Sequence, residues 1–431
     1  MGWESLVRLL LVAAAAVLIL ATLPRLSRGQ DSSKVTPGST TSTTVEADEG
    51  DAEEPRRKLV KWNEYDGPVT TVRFGLGFLT DFVTYVQDDE SKQQIAVEPD
   101  IGLRDFRFVL GGKFKTERPI SWVVGYMYDG PDNSWRFRRT GIMIGVPELS
   151  GRLFIGRTKE GYSMVKVMNG YHPWGMERSE VLDAFIPILA DGAKWMGYFP
   201  GPRVYFSLGG FADWLSEDEK FATFDHQVAA RLGWVPISSE QESELLHVAV
   251  MVRDGKPDGG SIQTRSRPEM YLAPYFVDTG KFPADGVQTV GVEAFYRAGP
   301  WLYGGEYDWQ FVDASGGENP LFQGGNAFVS WLITGETRSY NAPGAYFAAV
   351  SPARTVFEGG PGAWEAVLHV SYTDFDSGSF RGGTFWRLTP MVNWHMSDNV
   401  RLEFVYGYGQ LDRFDLKGGT QFFQARIQLA L

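Results

Sequence analysis

Apolar and polar residues alternate along most of this chain with a period of two. From Val400 onward, Leu402, Phe404, Tyr406 and Tyr408 share one side, while Arg401, Glu403, Gly407 and Gly409 share the other. That is the pattern of a β-strand with one apolar face. After a polar turn through Asp412, Arg413, Asp415, Lys417, Gly418 and Gly419, it resumes: Phe423, Ala425, Ile427, Leu429 and Leu431 alternate with Gln424, Arg426 and Gln428. Similar segments occur near 72–78, 105–110, 122–128, 137–146, 152–156, 203–209, 227–234, 246–253, 261–266, 287–296, 301–311, 326–334, 364–372 and 385–395, for a total of about sixteen. The expected fold class is therefore all-β.

Alternation alone fits two architectures. In a soluble sandwich the apolar face meets a second sheet; in a transmembrane antiparallel barrel it meets lipid, and the polar face lines a lumen. Aromatic placement favours the barrel. In 301–311, Trp301, Tyr303, Tyr307, Trp309 and Phe311 lie on one face, and Leu302, Gly304, Glu306, Asp308 and Gln310 on the other. Rings at both ends of one face suit the two interfaces of a membrane. Trp386 and Trp394, flanking Leu388 and Val392, repeat the arrangement. An even count near sixteen is also what barrels with an aqueous channel use. Short turns at 147–151, 298–300 and 397–399 alternate with a connection of about forty residues from Glu160 to Gly201. The long stretch 335–363 falls on the short-turn side and breaks that rule.

The start of the chain has a different character. Arg8 ends a short N-terminal region, Leu9 to Leu23 is apolar, and Ser27 and Gly29 precede a cut before Gln30, which reads as an export signal over 1–29. An uncleaved membrane anchor is the alternative. Residues 30–61 are rich in Ser, Thr and acids and cannot bury a core, so they read as a linker. The barrel domain is expected over 62–431, in the outer membrane and in contact with its lipid, because strands cross a bilayer only in a closed barrel.

Composition narrows the chemistry. With no cysteine among 431 residues there is no disulfide framework and no cysteine metal site, and the five histidines lack the spacing of a helix-borne zinc site. The net charge of −12 argues against a nucleic-acid partner. No nucleophile elbow or phosphate-cradling glycine loop occurs, so no enzyme activity and no cofactor are expected. Acids such as Asp88, Asp89 and Glu90 sit in connections, whereas Arg73, Arg107, Arg203, Arg231 and Arg253 alternate with apolar residues inside strands. These five are the lumen candidates. Arg139 is a sixth, with its parity left open by Arg138 beside it. Basic rings in a lumen attract anions, although any of these arginines can instead pair with a carboxylate such as Asp105, Glu293 or Glu306.

Five blocks carry a resemblance: Gly156-Arg157-Thr158-Lys159-Glu160-Gly161-Tyr162-Ser163-Met164; Met176-Glu177-Arg178-Ser179; Arg267-Pro268-Glu269 followed by 272–280; Leu332-Ile333-Thr334-Gly335-Glu336; and Gly362-Ala363-Trp364-Glu365. From about Thr70 to Leu431 the chain resembles the phosphate-selective porin O and P family. The resemblance implies a sixteen-stranded barrel, a homotrimer, and passive passage of small anions, phosphate foremost. It implies a long loop after strand five, and a long periplasmic turn, folding into the lumen, with Arg157, Lys159 and Arg178 building the constriction. Two departures stand out: the chain ends in Leu431 where the family has Phe or Trp, and Gly161-Tyr162 replaces the usual Pro-Phe. A plugged barrel serving as an envelope anchor or receptor is the alternative function.

Overall fold

The computed structural model describes residues 63–129, 133–212, 224–239 and 243–431; the expected export signal (1–29) and linker (30–61) lie outside them. The wall consists of β1 (Thr71–Gln87), β2 (Asp100–Lys113), β3 (Ile120–Asp129), β4 (Ser134–Val146), β5 (Gly151–Thr158), β6 (Ala190–Phe199), β7 (Val204–Ala212) and β8 (Phe224–Ser238). It continues through β9 (Glu244–Pro257), β10 (Phe282–Ala298), β11 (Trp301–Ala314), β12 (Leu321–Leu332), β13 (Ala363–Ser377), β14 (Phe380–His395), β15 (Val400–Arg413) and β16 (Leu416–Ala430). Each strand pairs antiparallel with the next, and β16 returns to β1 from Gly77↔Ala430 to Gln87↔Thr420. The main chain of Leu431 closes the seam, exchanging hydrogen bonds of 2.8 and 3.1 Å with Leu76. The sixteen-strand sheet therefore has no free edge, which is the condition for strands to cross lipid.

Two strand assignments differ from the sequence reading. Ala190–Phe199, expected to lie inside the long connection, is the wall strand β6, whereas 261–266 is not a wall strand and forms only the two-residue pieces Ser261–Ile262 and Arg265–Ser266. The two errors cancel in the count. β6 escaped notice because Gly192, Ala193 and Gly197 leave its faces with little contrast. Arg203, expected inside a strand, sits in the turn before β7 with φ 56°, and its carbonyl accepts from Val235 N–H at 3.0 Å.

The wall is inside-out relative to a soluble protein. Phe404 is 50% exposed and Glu403, beside it, is fully buried; Tyr406 and Tyr408 are exposed, while Arg401 and Arg426 are buried. Stacked indoles at the turn end, Trp301 on Trp331 at 5.1 Å and Trp364 on Trp394 at 4.9 Å, mark one aromatic band on the outer face.

The interior is filled by connections. Residues 159–189, between β5 and β6, are fastened to wall side chains on several sides. Arg253 of β9 pairs with Glu160 at 2.7 Å, and Met164 N–H donates to Glu293 of β10 at 2.8 Å. Ser163 and Tyr162 hydroxyls donate to Glu306 and Asp308 of β11 at 2.6 and 2.8 Å. Where the resembling family has Pro-Phe, Gly161 takes φ +85°, a conformation glycine adopts without steric cost, and so aims Tyr162 across to β11. Further along, carbonyl after carbonyl accepts from the wall or from the 333–362 turn: Tyr171 from Gln428 (3.0 Å), His172 from Arg338 (3.1 Å), Pro173 from Arg401 (2.9 Å), Trp174 from Asn393 (2.7 Å) and Met176 from Arg426. Satisfying these buried carbonyls is what lets irregular backbone lie inside a barrel.

One side of this segment is dry. Trp174 stacks on Phe328 at 4.0 Å, Phe185 on Phe375 at 5.7 Å, and Met164, Val181 and Leu182 are fully buried with them. The turn 333–362 adds Tyr346 and Phe347 to the same cluster and is held by Arg338–Glu365 at 2.8 Å and by the Tyr340 hydroxyl 2.8 Å from His247.

Candidate functional site

Two β-bulges concentrate charge on the opposite side of the interior. Opposite Leu79 and Thr80 of β1, strand β2 carries an extra residue, so Arg104 and Asp105 both turn inward. Between β3 and β4 the register shifts again, and Gly125 alone faces both Arg138 and Arg139. A bulge adds one residue without changing the partner strand; here each one adds an arginine that strict alternation would send outward. Arg104, Asp105 and Arg138, with Arg107 of β2, Arg426 of β16 and Arg178 of the 159–189 segment, line a cleft whose apolar wall includes Leu79, Met127, Met176, Ile188 and Tyr271.

Five arginines and two carboxylates line this cleft. Arg104 grips Glu177 through two hydrogen bonds of 2.9 and 3.2 Å and lies 3.5 Å over the Tyr271 ring. Arg426 reaches Glu177 from the other side and holds Asp81 with two bonds of 2.6 Å. Asp105 pairs with Arg107, whose Nε lies 3.1 Å away, and with Arg138 at 3.7 Å. Arg107 also covers the Tyr171 ring at 4.2 Å. Arg178 donates to the carbonyls of Val165 and Met168 at 3.1 and 3.3 Å, which orients its head toward the cleft.

The electrostatics follow from that crowding. Burial pushes the Glu177 carboxyl up, but Arg104 and Arg426 together outweigh it and hold the group well below the usual carboxylate range. Burial lowers Arg178 from its ordinary value, and Arg104 and Arg107 add to that, against Asp183 and Glu177. Burial raises the Tyr171 hydroxyl. Among the cleft-lining residues five guanidiniums thus meet two carboxylates, Asp105 and Glu177. Among the described residues no cluster of three or more histidines, aspartates or glutamates is arranged to hold a metal ion.

The sequence candidates divide into several groups. Arg107 and Arg178 come together at the cleft, with a Cβ position at Gly170 lying 4.0 Å from the guanidinium of each. Arg139 is turned in by its bulge and lies 4.8 Å over Phe154, outside the cleft lining. Arg73 lies on the inward parity of β1, opposite Gly111, nearer the turn end. Arg231 and Arg253 point inward but are fully buried on the dry side, paired with Glu293 at 2.5 Å and Glu160 at 2.7 Å. Lys159 is spent on the carbonyls of Val167 and Met168, at 3.1 and 2.5 Å, at the end of the short helix Met164–Val167. Arg157 is buried in a cross-strand pair with Asp191 of β6 at 2.7 Å and donates to the Phe137 carbonyl at 2.9 Å. Arg203 is exposed in its turn.

Alternation missed Arg104, Glu177, Tyr271 and Arg426. Arg426 was visible on the polar face of the last strand. Arg104 was marked only by its adjacency to Asp105 and Glu177 only by its place beside Arg178 in a block of the family resemblance, and nothing local in the sequence points to Tyr271.

Comparison with known proteins bears on the fold and the family. A stretch of 157 residues is 28% identical to an uncharacterized protein of Caulobacter vibrioides, spanning 36% of this chain and 30% of that protein. Among solved structures, the outer membrane channel DcaP of Acinetobacter baumannii aligns with a TM-score of 0.55 at 10% identity, over 85% of this chain and 99% of its own. The trimer form of the in-vitro folded OmpT of Vibrio cholerae gives 0.51 at 13%, over 84% and 99%. An anion-selective porin from Comamonas acidovorans gives 0.51 at 12%, over 84% and 100%. At such identities these structures speak to the shared barrel. Residues 73–430 match the phosphate-selective porin O and P family, and the chain belongs to that family of outer-membrane porins.

Proposed function

We propose that this porin passes small anions, inorganic phosphate among them, by diffusion past the arginine cleft. The observation that carries the reading is the division of the interior. On the β8–β14 side, apolar side chains of the inward connections pack against the wall, whereas on the β1–β4 side five guanidiniums line a cleft. An anion there gains charge-assisted hydrogen bonds in place of part of its hydration shell. Segment 159–189 would narrow the path, with Arg178 facing Arg107 across Gly170. The solved anion-selective porin lends support, and the trimer form of the Vibrio cholerae protein supports a homotrimer here. We place an export signal at 1–29 and a linker at 30–61, the first removed on the way to the outer membrane.

Reversal potential in a planar bilayer under a potassium chloride gradient tests this. Anion preference is expected, together with block of chloride current by added phosphate. The double variant Arg107→Gln, Arg178→Gln should lose most of both. Cation preference in the wild type would overturn the reading. Absence of any conductance would favour a second reading, a plugged barrel acting as a receptor or anchor, which the extent of the dry packing across the lumen supports.

A further inference from the structure

We propose that residues 353–361, in the connection between β12 and β13, form a foot seated in the periplasmic leaflet of the outer membrane, with Phe357 in the lipid and Arg354 on a phospholipid phosphate. This segment carries the most exposed large apolar side chain among the described residues, Phe357 at 71%. It is held stiffly. Val356–Glu358 forms one tight helical turn, and the Glu358 carboxylate accepts from the Thr355 N–H at 3.2 Å and from its hydroxyl at 2.9 Å. Arg354 donates twice to the Glu358 carbonyl, at 3.1 and 2.9 Å. An apolar side chain presented on a rigid turn loses little freedom when something covers it.

The attachment of the segment says what covers it. Val356 N–H donates to the Met396 carbonyl at 2.9 Å, just past the end of β14, and the Trp394 indole N–H donates to the Pro361 carbonyl at 2.9 Å. Trp394 lies on the outward face of β14, stacked on Trp364 of β13. The segment is thus tied on both sides of Phe357 to the aromatic band of the outer face, at the short-turn end of the barrel, which is periplasmic in this architecture. Tryptophans of such a band sit at headgroup level. Trp331 and Ile333, exposed at the end of β12, extend the same apolar surface. At that depth lipid buries Phe357 together with the band, whereas water would leave it bare. Arg354 is exposed beside it, and its Nη1 makes no hydrogen bond or ion pair among the described residues. A guanidinium at headgroup level takes a phosphate oxygen through a charge-assisted hydrogen bond. The same connection carries Arg338, Tyr346 and Phe347, all buried in the lumen. Seating the foot in lipid therefore fixes the outer end of a turn whose inner part packs the channel.

The chain has no cysteine, so Phe357→Cys offers a unique site for a polarity-sensitive thiol fluorophore. The full chain is refolded into vesicles of phosphatidylethanolamine and phosphatidylglycerol, with iodide on both sides of the membrane. The label at 357 should be quenched by lipid brominated high on the acyl chains and should lose most of its quenching by iodide. Leu388→Cys, exposed on the outer face of β14, and Phe414→Cys, exposed in the turn between β15 and β16, give the lipid and water references. Iodide quenching equal to that at 414 would show a solvated knob and overturn the foot. Protection from both quenchers would place protein over Phe357, such as a second copy of the chain, and overturn it equally. Arg354→Gln in the labelled protein should restore part of the iodide quenching; no change would overturn the phosphate contact. Should Phe357→Cys fail to refold, the label at Ala353→Cys, exposed in the same segment, repeats the measurement with Phe357 in place. Neither quencher reads ion selectivity, so the channel reading stands or falls separately.

Discussion

Replacing Gly77 with alanine should unseat the inward segment at one point. Gly77 faces inward on β1, and a Cβ there would lie 2.1 Å from the Tyr171 hydroxyl oxygen, 2.6 Å from its Cζ and 2.9 Å from Arg107 Cγ. Comfortable contact needs about 3.5 Å, so the ring must retreat by about 1.4 Å. It has little room, because Arg107 covers its face and Gln428 holds its own carbonyl at 3.0 Å. Overpacking of this kind costs about 1–3 kcal/mol. The Tyr171 hydroxyl has no hydrogen-bond partner among the described residues, so the effect is steric and not the loss of a bond. A displaced Tyr171 carries Gly170 with it and changes the gap between Arg107 and Arg178. Single-channel conductance and denaturant unfolding of Gly77→Ala, Tyr171→Ala and the double variant form a cycle. The alanine at 77 should alter conductance and destabilise the protein in the presence of Tyr171, and do neither in its absence. Additive effects, or a Gly77→Ala protein with wild-type conductance and stability, would refute the seating of Tyr171 against β1.

Other expectations follow from the same geometry. Arg253→Met strands Glu160 in a buried site and should cost about 3–5 kcal/mol in unfolding measurements, yet leave the reversal potential anion-favouring, because Arg253 lies outside the cleft lining. Phe404→Arg places a charge on the outer face of β15 and should cost about 2–4 kcal/mol if that position lies near the bilayer midplane; refolding yield into lipid vesicles reads this out, and a neutral result would contradict the assignment of that face. Burial, and then Glu269, hold the Glu180 carboxyl well above its ordinary 4.5, while His369 and Arg387 hold Glu269 below its own ordinary value despite burial. A raised acid contributes its full stability below the unfolded value and loses it as pH rises through the folded one. The helix Glu180–Phe185 should therefore loosen on the alkaline side, seen as amide exchange rising faster than the intrinsic rate, and Glu180→Gln should remove that excess.

Alternation, together with the placement of aromatic rings along it, determined the outer half of this protein. Apolar residues at every second position of β11, β13, β14, β15 and β16 fit a sandwich or a barrel, and the rings at both ends of the apolar face of β11 and β14 select the closed barrel. Strand existence was legible wherever the two faces differ sharply, and illegible in β6, where glycine and alanine blur them. The lumen is a different matter. Arg231 and Arg253 share the sequence signature of Arg107, yet they end in dry ion pairs, because which inward residues meet water depends on where segments 159–189 and 333–362 come to rest. That in turn depends on partners remote in sequence, such as Gln428, Arg401 and Asn393, each donating to one carbonyl of the inward chain. Arg104 and Arg138 enter the cleft only because bulges shift the register, and a bulge is a property of two paired strands that neither strand displays alone. The period of two decided the wall; long-range hydrogen bonds and local breaks in that period decided which charges line the open space inside it.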